Sequence, residues 1–231
     1  MNSRRKFLKH GSMASTALLL TKPFETLANR LSPLTGVSID QNKILLVHTS
    51  DLAGSTGLAA SQLDAVKRNN ANVLLLNAGE TKEPNGFDAS LHHCNEIIDS
   101  YKIIYKGDIK IGIIGVQRNT NDPVAHVNNV AAYLKKDKSC NLVVCLSQLG
   151  FKNKSAIDDI SLASLTEHVD VIISGHQTNY AKNPMILHNL KQEEVIVHSS
   201  SGKDFVFGNI ELSFDNRRKK RHIDFDTLHT A

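Results

Sequence analysis

Tryptophan is absent from this 231-residue chain, and aromatic residues as a whole make up 5% of it. That scarcity removes the stacking platforms on which single-stranded nucleic acid is held, so nucleic acid is not an expected partner. An excess of one charge is missing too. The formal net charge is +4, and Arg4, Arg5, Lys6, Lys9 and Lys22 against Glu25 account for all of it. The remainder is balanced, which leaves no whole-molecule field to draw in nucleic acid or a membrane surface. Cysteine is sparse. The three thiols show no C-x-x-C spacing, which argues against a sulfur metal site. Cys140 and Cys145 flank an apolar run that an extended strand holds too far apart to bridge, and Cys94 belongs to another element. Buried, reduced thiols are the expectation. No internal repeat is visible.

The length suits one sizeable core, and 41% apolar with 22% charged residues is ordinary for a globular chain. The N-terminus has its own character. Ser3-Arg4-Arg5-Lys6-Phe7-Leu8-Lys9 is basic, a mildly apolar run spans Gly11 to Thr21, and Thr26-Leu27-Ala28 places small residues at a cleavage position. The apolar run is too short and too polar to be a permanent membrane helix. The order S-R-R-x-F-L-K resembles the bacterial twin-arginine signal, a receptor-read address. The resemblance implies a signal peptide over 1–28, export in the folded state to the periplasm or beyond, and membrane contact only during export. Residues 29–42, with Pro33 and Gly36, read as a linker, and 43–231 as the folded domain.

From Lys43 the chain alternates. Apolar runs predict strands at Lys43–His48, Val73–Asn77, Leu142–Ser147 and Val169–Ser174, with a hairpin of Ile103–Tyr105 and Lys110–Val116 around Lys106-Gly107-Asp108. Helical spacing is expected over Leu58–Asn70, Asp88–Tyr101, Val127–Lys136 and Ile157–Glu167. In the second of these, Leu91, Cys94, Ile97, Ile98 and Tyr101 form one face. The tail is strand-rich: Met185–His188, Val195–Ser199, Phe205–Phe214 and His222–Phe225. Continuous apolar strands between helices predict a sheet covered by helices. The short links of the late strands predict a second sheet made from them.

Chemistry in such folds sits at the C-terminal ends of strands. Four strands end in polar residues: His48-Thr49-Ser50-Asp51, Asn77-Ala78-Gly79-Glu80, Ser147-Gln148-Leu149-Gly150 and Gly175-His176-Gln177-Thr178. Carboxylates and imidazoles on separate loops can converge on a cation without being close in sequence.

The motifs HTSDLAG (48–54), VLLLNAGE (73–80), KIGIIGV (110–116), CNLVVCLSQLG (140–150) and VDVIISGHQT (169–178) resemble, in this order, the bacterial 5'-nucleotidases of the calcineurin-like metallophosphoesterases. The likeness runs from Lys43 to about Phe214. It implies an α/β fold, a metallophosphoesterase-like four-layer αββα sandwich of two mixed sheets flanked by helices. It also implies hydrolysis of phosphate esters by a water bound to two divalent cations. Carried over singly, Asp51 and His176 keep ligand positions of the family, and Glu80 stands where the family has a bridging aspartate. Ala53, Gln148 and Thr178 replace histidines; Ala53 has no donor atom, and the Gln148 amide oxygen is a far poorer ligand than imidazole. The family's Gly-Asn-His-Glu loop, which supplies a ligand and the leaving-group acid, is not found.

Asp51, Glu80 and His176, with Gln148 as a weak fourth, are the expected donors for at most one loosely bound divalent cation such as Mn or Zn. The implied function is an exported 5'-nucleotidase-like hydrolase with weak or lost activity. The alternative is a non-catalytic protein on the same scaffold that binds a nucleotide, a phosphate ester or a partner nucleotidase subunit. Other residues take plainer readings. His92 and His93 read as exposed helix histidines, His48 as a hydrogen-bonded core histidine, and His198 to Gly202 as a polar turn. Arg217 to Arg221 read as a solvated hairpin turn, with an anionic partner as the competing reading.

Overall fold

Four of the apolar runs become strands buried on both faces, and parallel pairing is what such strands support. The computed structural model describes residues 41–50, 63–68, 70–79, 91–97, 100–152, 156–175, 183–200 and 206–229. The leader, and all of the linker but its last two residues, lie outside them.

One sheet runs β11-β10-β1-β2-β3, built from β1 (Lys43–Thr49), β2 (Val73–Asn77), β3 (Leu91–His93), β10 (Val206–Phe214) and β11 (Lys220–His229). The other runs β4-β5-β6-β7-β9-β8, from β4 (Tyr101–Lys106), β5 (Ile109–Val116), β6 (Leu142–Ser147), β7 (Val171–Ser174), β8 (Met185–His188) and β9 (Glu194–Ser199). Strands β1, β2 and β3 are parallel, as are β5, β6, β7 and β9, while β10 pairs antiparallel to β1. Strand β4 pairs antiparallel to β5, and β8 to β9. Both sheets are therefore mixed.

The sheets share a core. Ile44, Leu46, Leu74 and Leu76 meet Ile111, Ile113, Val144, Leu146 and Ile173, all buried. A second cluster covers the outer face of the six-stranded sheet, where Val127, Ala131 and Leu134 of helix Pro123–Lys136 and Leu162 and Ala163 of helix Asp159–Leu165 pack on Val143, Cys145 and Ile172. A third places Leu63 and Val66, on helical residues 63–68, over Val47, Val73, Leu75 and Phe207. Helix, sheet, sheet, helix is the αββα layering expected.

The helices Pro123–Lys136 and Asp159–Leu165 each start at an aspartate. The Asp122 side chain accepts the Ala125 N–H at 2.9 Å with Pro123 next in line, and Asp158 accepts that of Ser161 at 2.7 Å.

Three expectations need correction. Residues 91–97 are not helical: Leu91–His93 pairs in parallel with β2, a 3-10 turn follows at Cys94–Glu96, and Tyr101 opens β4. A parallel partner satisfies the backbone as well as a helix does, and Cys94 and Ile97 still reach the inter-sheet core. His92 and His93 are accordingly half-buried strand residues. The late strands do not make their own sheet either; β8 and β9 join one sheet, β10 and β11 the other. Lastly, His198 and Ser199 end β9, buried, rather than forming a turn.

The basic run is a hairpin turn. Asp215 Oδ1 accepts the N–H groups of Arg217 and Lys219, each at 2.9 Å, and Arg221 pairs with its other oxygen at 2.9 Å. Lys220 donates to the Glu194 carbonyl at 3.0 Å.

The thiols are free and buried. Cys94 faces the inter-sheet core and Cys145 the outer one. Cys94 donates to the Leu146 carbonyl at 3.2 Å, and burial pushes its thiol up to about 12. Burial likewise raises Cys145 well above the usual thiol range. Ellman's reagent is expected to react with these two at least about 100-fold more slowly in the native protein than in urea, because the thiolate is the nucleophile. Stoichiometric reaction of either within the native fold would refute their placement.

Candidate functional site

The parallel strands of both sheets end at one edge, and backbone bonds carry the pairing a residue beyond the strands. Ala78 N–H donates to Thr49 O at 3.0 Å, Gln148 N–H to Val116 O at 2.9 Å, and Gly175 N–H to Ser147 O at 2.6 Å. The two sheets touch at this edge. A Cβ on Gly175 would lie 2.5 Å from the carbonyl carbon of Ala78, closer still to its oxygen, and 3.0 Å from Gly79 N. Only glycine permits that approach.

Serines stitch the edge. Ser50 Oγ donates to Ser174 O at 2.6 Å and accepts the Ser200 N–H at 2.8 Å. Ser50, Ser174 and Ser200 are all buried. Beneath them lies Asp159, fully buried, whose carboxylate accepts hydrogen bonds from the hydroxyls of Ser147 and Ser174. Burial pushes its carboxyl up to about 6, and the two serine hydroxyls act against the rise.

Of the expected site residues, Gln148 is placed by the structure. It follows β6, is buried, and its carbonyl accepts from Arg118 Nε at 3.2 Å. Asp51, Ala53, Glu80, His176 and Thr178 lie outside the described residues. Their roots do not. Asp51 follows Ser50, Glu80 follows Gly79 and His176 follows Gly175, three residues that the contacts above bring to one edge. Among the described residues no three His, Cys, Asp or Glu side chains cluster in a way that could hold a metal.

His93 also comes to this edge, opposite Asn77 in register. Gly79 N–H donates to Asn77 Oδ1 at 3.0 Å, which makes the Asn77 amide nitrogen the donor to His93 Nδ1 at 3.1 Å. The neutral His93 ring therefore carries its proton on Nε2. Burial lowers its pKa, opposed by Glu96. His92 does not join; its Nδ1 accepts from Lys102 Nζ at 3.0 Å, and burial followed by the Lys102 charge lowers its pKa to about 4.

His48 is the core histidine expected, with its partner now visible. Its Nε2 lies 2.9 Å from His198 Nδ1, the rings edge to face at 82° across the two sheets. Gly208, paired with His48 in register, makes room: a Cβ there would lie 2.9 Å from His198 Cε1 and nearer still to the His48 ring. Sequence reasoning missed Asp159 and the edge position of His93. The available signal was a serine at each of two parallel strand ends, Ser147 and Ser174, with an acid left over beside the Asp158 cap.

No family model matches the sequence, and no curated protein does. Solved structures do. The crystal structure of a 5'-nucleotidase precursor from Thermus thermophilus is similar at a TM-score of 0.64 and 18% identity, over 81% of this chain and 54% of that one. The structure of the Haemophilus influenzae NAD nucleotidase is similar at 0.59 and 16%, over 79% of this chain and 49% of that one. This chain thus spans about half the length of either. Identities this low carry the fold alone: two mixed sheets flanked by helices, the α/β sandwich of the 5'-nucleotidase structures.

Proposed function

We propose that this chain is an exported phosphoesterase by descent from 5'-nucleotidase-like enzymes, with a site for at most one divalent cation and slow turnover of nucleotide phosphate esters. The observation that carries this reading is the meeting of Ser50, Gly79 and Gly175 at one edge of the sandwich. Each is followed by a cation-ligand type: Asp51, Glu80 and His176. Two carboxylates and an imidazole suit one manganese or zinc ion, with Gln148 as a weak fourth donor. A bound cation would polarise a phosphate oxygen and acidify a water.

The chain's own residues set the limits. Ala53 and Thr178 offer no imidazole, so the donors fall short of a pair of cations. Without the family's Gly-Asn-His-Glu loop, loss of its leaving-group acid would cost a further factor of about 100 or more. Ala53 and Thr178 equally favour a second reading, in which the edge binds a phosphate ester or a partner chain without hydrolysing it.

Metal analysis and turnover decide. The protein as isolated is expected to hold less than one tightly bound Mn or Zn per chain and to hydrolyse p-nitrophenyl phosphate or AMP slowly. Asp51→Ala and His176→Ala are each expected to abolish that activity. Activity that survives both changes does not come from this edge, and two tightly held ions per chain would refute the single-cation site. Binding of AMP without turnover would select the second reading.

A further inference from the structure

Asp159 stands in the first turn of its helix, where an acid is favoured, but it is not the cap. Asp158 caps that helix, accepting the Ser161 N–H at 2.7 Å, and the Asp159 backbone N–H goes to the Gly150 carbonyl at 3.0 Å. Its carboxylate is nevertheless fully buried, which is costly for a charge unless hydrogen bonds replace water. The replacements come from two parallel strand ends, Ser147 of β6 and Ser174 of β7, which are partners in register.

From these two serines the bonding spreads outward. Ser147 Oγ also accepts the Leu149 N–H at 3.2 Å, and its carbonyl takes the Gly175 N–H at 2.6 Å. The Ser174 carbonyl takes the Ser50 hydroxyl, and Ser50 Oγ takes the Ser200 N–H. One carboxylate thus anchors Ser147, the residue before Gln148, Ser174, two before His176, and, through the Ser174 carbonyl, Ser50, the residue before Asp51.

We propose that Asp159 is a positioning residue: its buried carboxylate sets the spacing between the loops that carry Asp51, Gln148 and His176. What those loops hold rests on the function proposed above; that Asp159 fixes their roots does not. The pairing of a fully buried acid with two hydroxyls fits this role. The carboxylate takes two donors at once and ties two strands, and hydrogen bonds to a charged acceptor are stronger than neutral ones.

The test uses the full chain with Asp159→Ala, Asp159→Asn and Ser174→Ala. Amide hydrogen exchange is read at Leu149, Gly175 and Ser200, with Ile111 and Val144 as controls inside the sheet. Asp159→Ala is expected to lower protection at Leu149 and Gly175 by about tenfold or more, and at Ser200 by less, with the controls unchanged. Asp159→Asn, which keeps one acceptor, should lie between. Ser174→Ala should loosen Gly175 and Ser200 and spare Leu149. It removes one hydroxyl only, so it reports even if both Asp159 variants fail to fold.

Equal loss of protection everywhere, or loss confined to helix Asp159–Leu165, would overturn the proposal. Manganese titration followed by electron paramagnetic resonance supplies a second readout. Asp159→Ala is expected to weaken Mn(II) binding about 10- to 100-fold, as removal of a group that orients ligands commonly does. Unchanged affinity in a variant with loosened loops overturns the link to the site. If the wild type binds no Mn(II), the function proposed above fails and the exchange data alone decide the role of Asp159.

Discussion

Replacing Gly175 with alanine is expected to destabilise the protein by about 3 kcal/mol, the upper end of what one added methyl costs in a packed interior. The clash is unusually rigid. The new Cβ would sit 2.5 Å from the Ala78 carbonyl carbon and nearer its oxygen, and both belong to the backbone of the opposing sheet. No rotamer change relieves it. Gly175 itself is held by the Ser147 carbonyl, and Ala78 by Thr49 O, so neither side yields cheaply. The relief available is a parting of the two sheets at their C-terminal edge, which would also draw Gly79 away from Gly175. A urea titration and a manganese titration on the same variant separate the two effects. A stability within about 0.5 kcal/mol of the wild type, the scatter of surface substitutions, would show that the sheets do not meet here as described.

How much of this is legible in the sequence depends on what each element buries. Strands β2, β6 and β8 fall at the bounds their sequence predicts. For β2 and β6, burial on both faces leaves an uninterrupted apolar run with polar residues at its end. The stretch 88–101 misleads because Leu91, Cys94 and Ile97 recur every third residue, a spacing that suits a helix face as well as a short strand followed by a 3-10 turn. What settles the matter is the free edge of β2, which accepts Leu91–His93 as a parallel partner and is invisible to local periodicity. Assigning the late strands to sheets fails for a related reason. Strands β9 and β10 are neighbours in sequence, yet the chain crosses from one sheet to the other between them.

The site divides along the same line. Its loop roots can be found by asking where strands end. Asp159 cannot, because its donors come from strand ends 12 and 15 residues away and its neighbour Asp158 already explains the helix start. The retained ligand types mark positions along the chain. The serine and glycine contacts that bring the residues preceding them together belong to the packing of two sheets.

The second large effect concerns pH, and it is partly hidden in the wild type because two buried groups oppose each other. Asp159 titrates at about 6 in the folded chain against 3.8 unfolded, raised chiefly by burial and secondarily by Asp158, with Ser147, Ser174 and Arg118 acting the other way. Between those values the folded state binds more protons than the unfolded state, so this group favours folding in acid and loses stability as pH rises toward 6. His48 is depressed well below 6.5, first by burial and then by His198. Below 6.5 the folded state binds fewer protons at His48, so its contribution is present above 6.5 and lost as pH falls. Each slope has a ceiling of about 1.4 kcal/mol per pH unit, and from about pH 6 down to about pH 4 they have opposite signs. His92, depressed to about 4 but only half buried, adds a solvent-screened part of the His48 sense. Relative to the wild type, Asp159→Asn, which removes the acid-favoured term, should therefore lose about 2 to 3 kcal/mol between about pH 6 and about pH 4. At about pH 7.5 the same substitution relieves the cost of burying a charge and gives up one serine hydrogen bond, so the variant should unfold at a urea concentration similar to or above that of the wild type. Urea midpoints across this range measure both arms; if the two proteins follow one profile, Asp159 does not titrate in the fold as its burial requires.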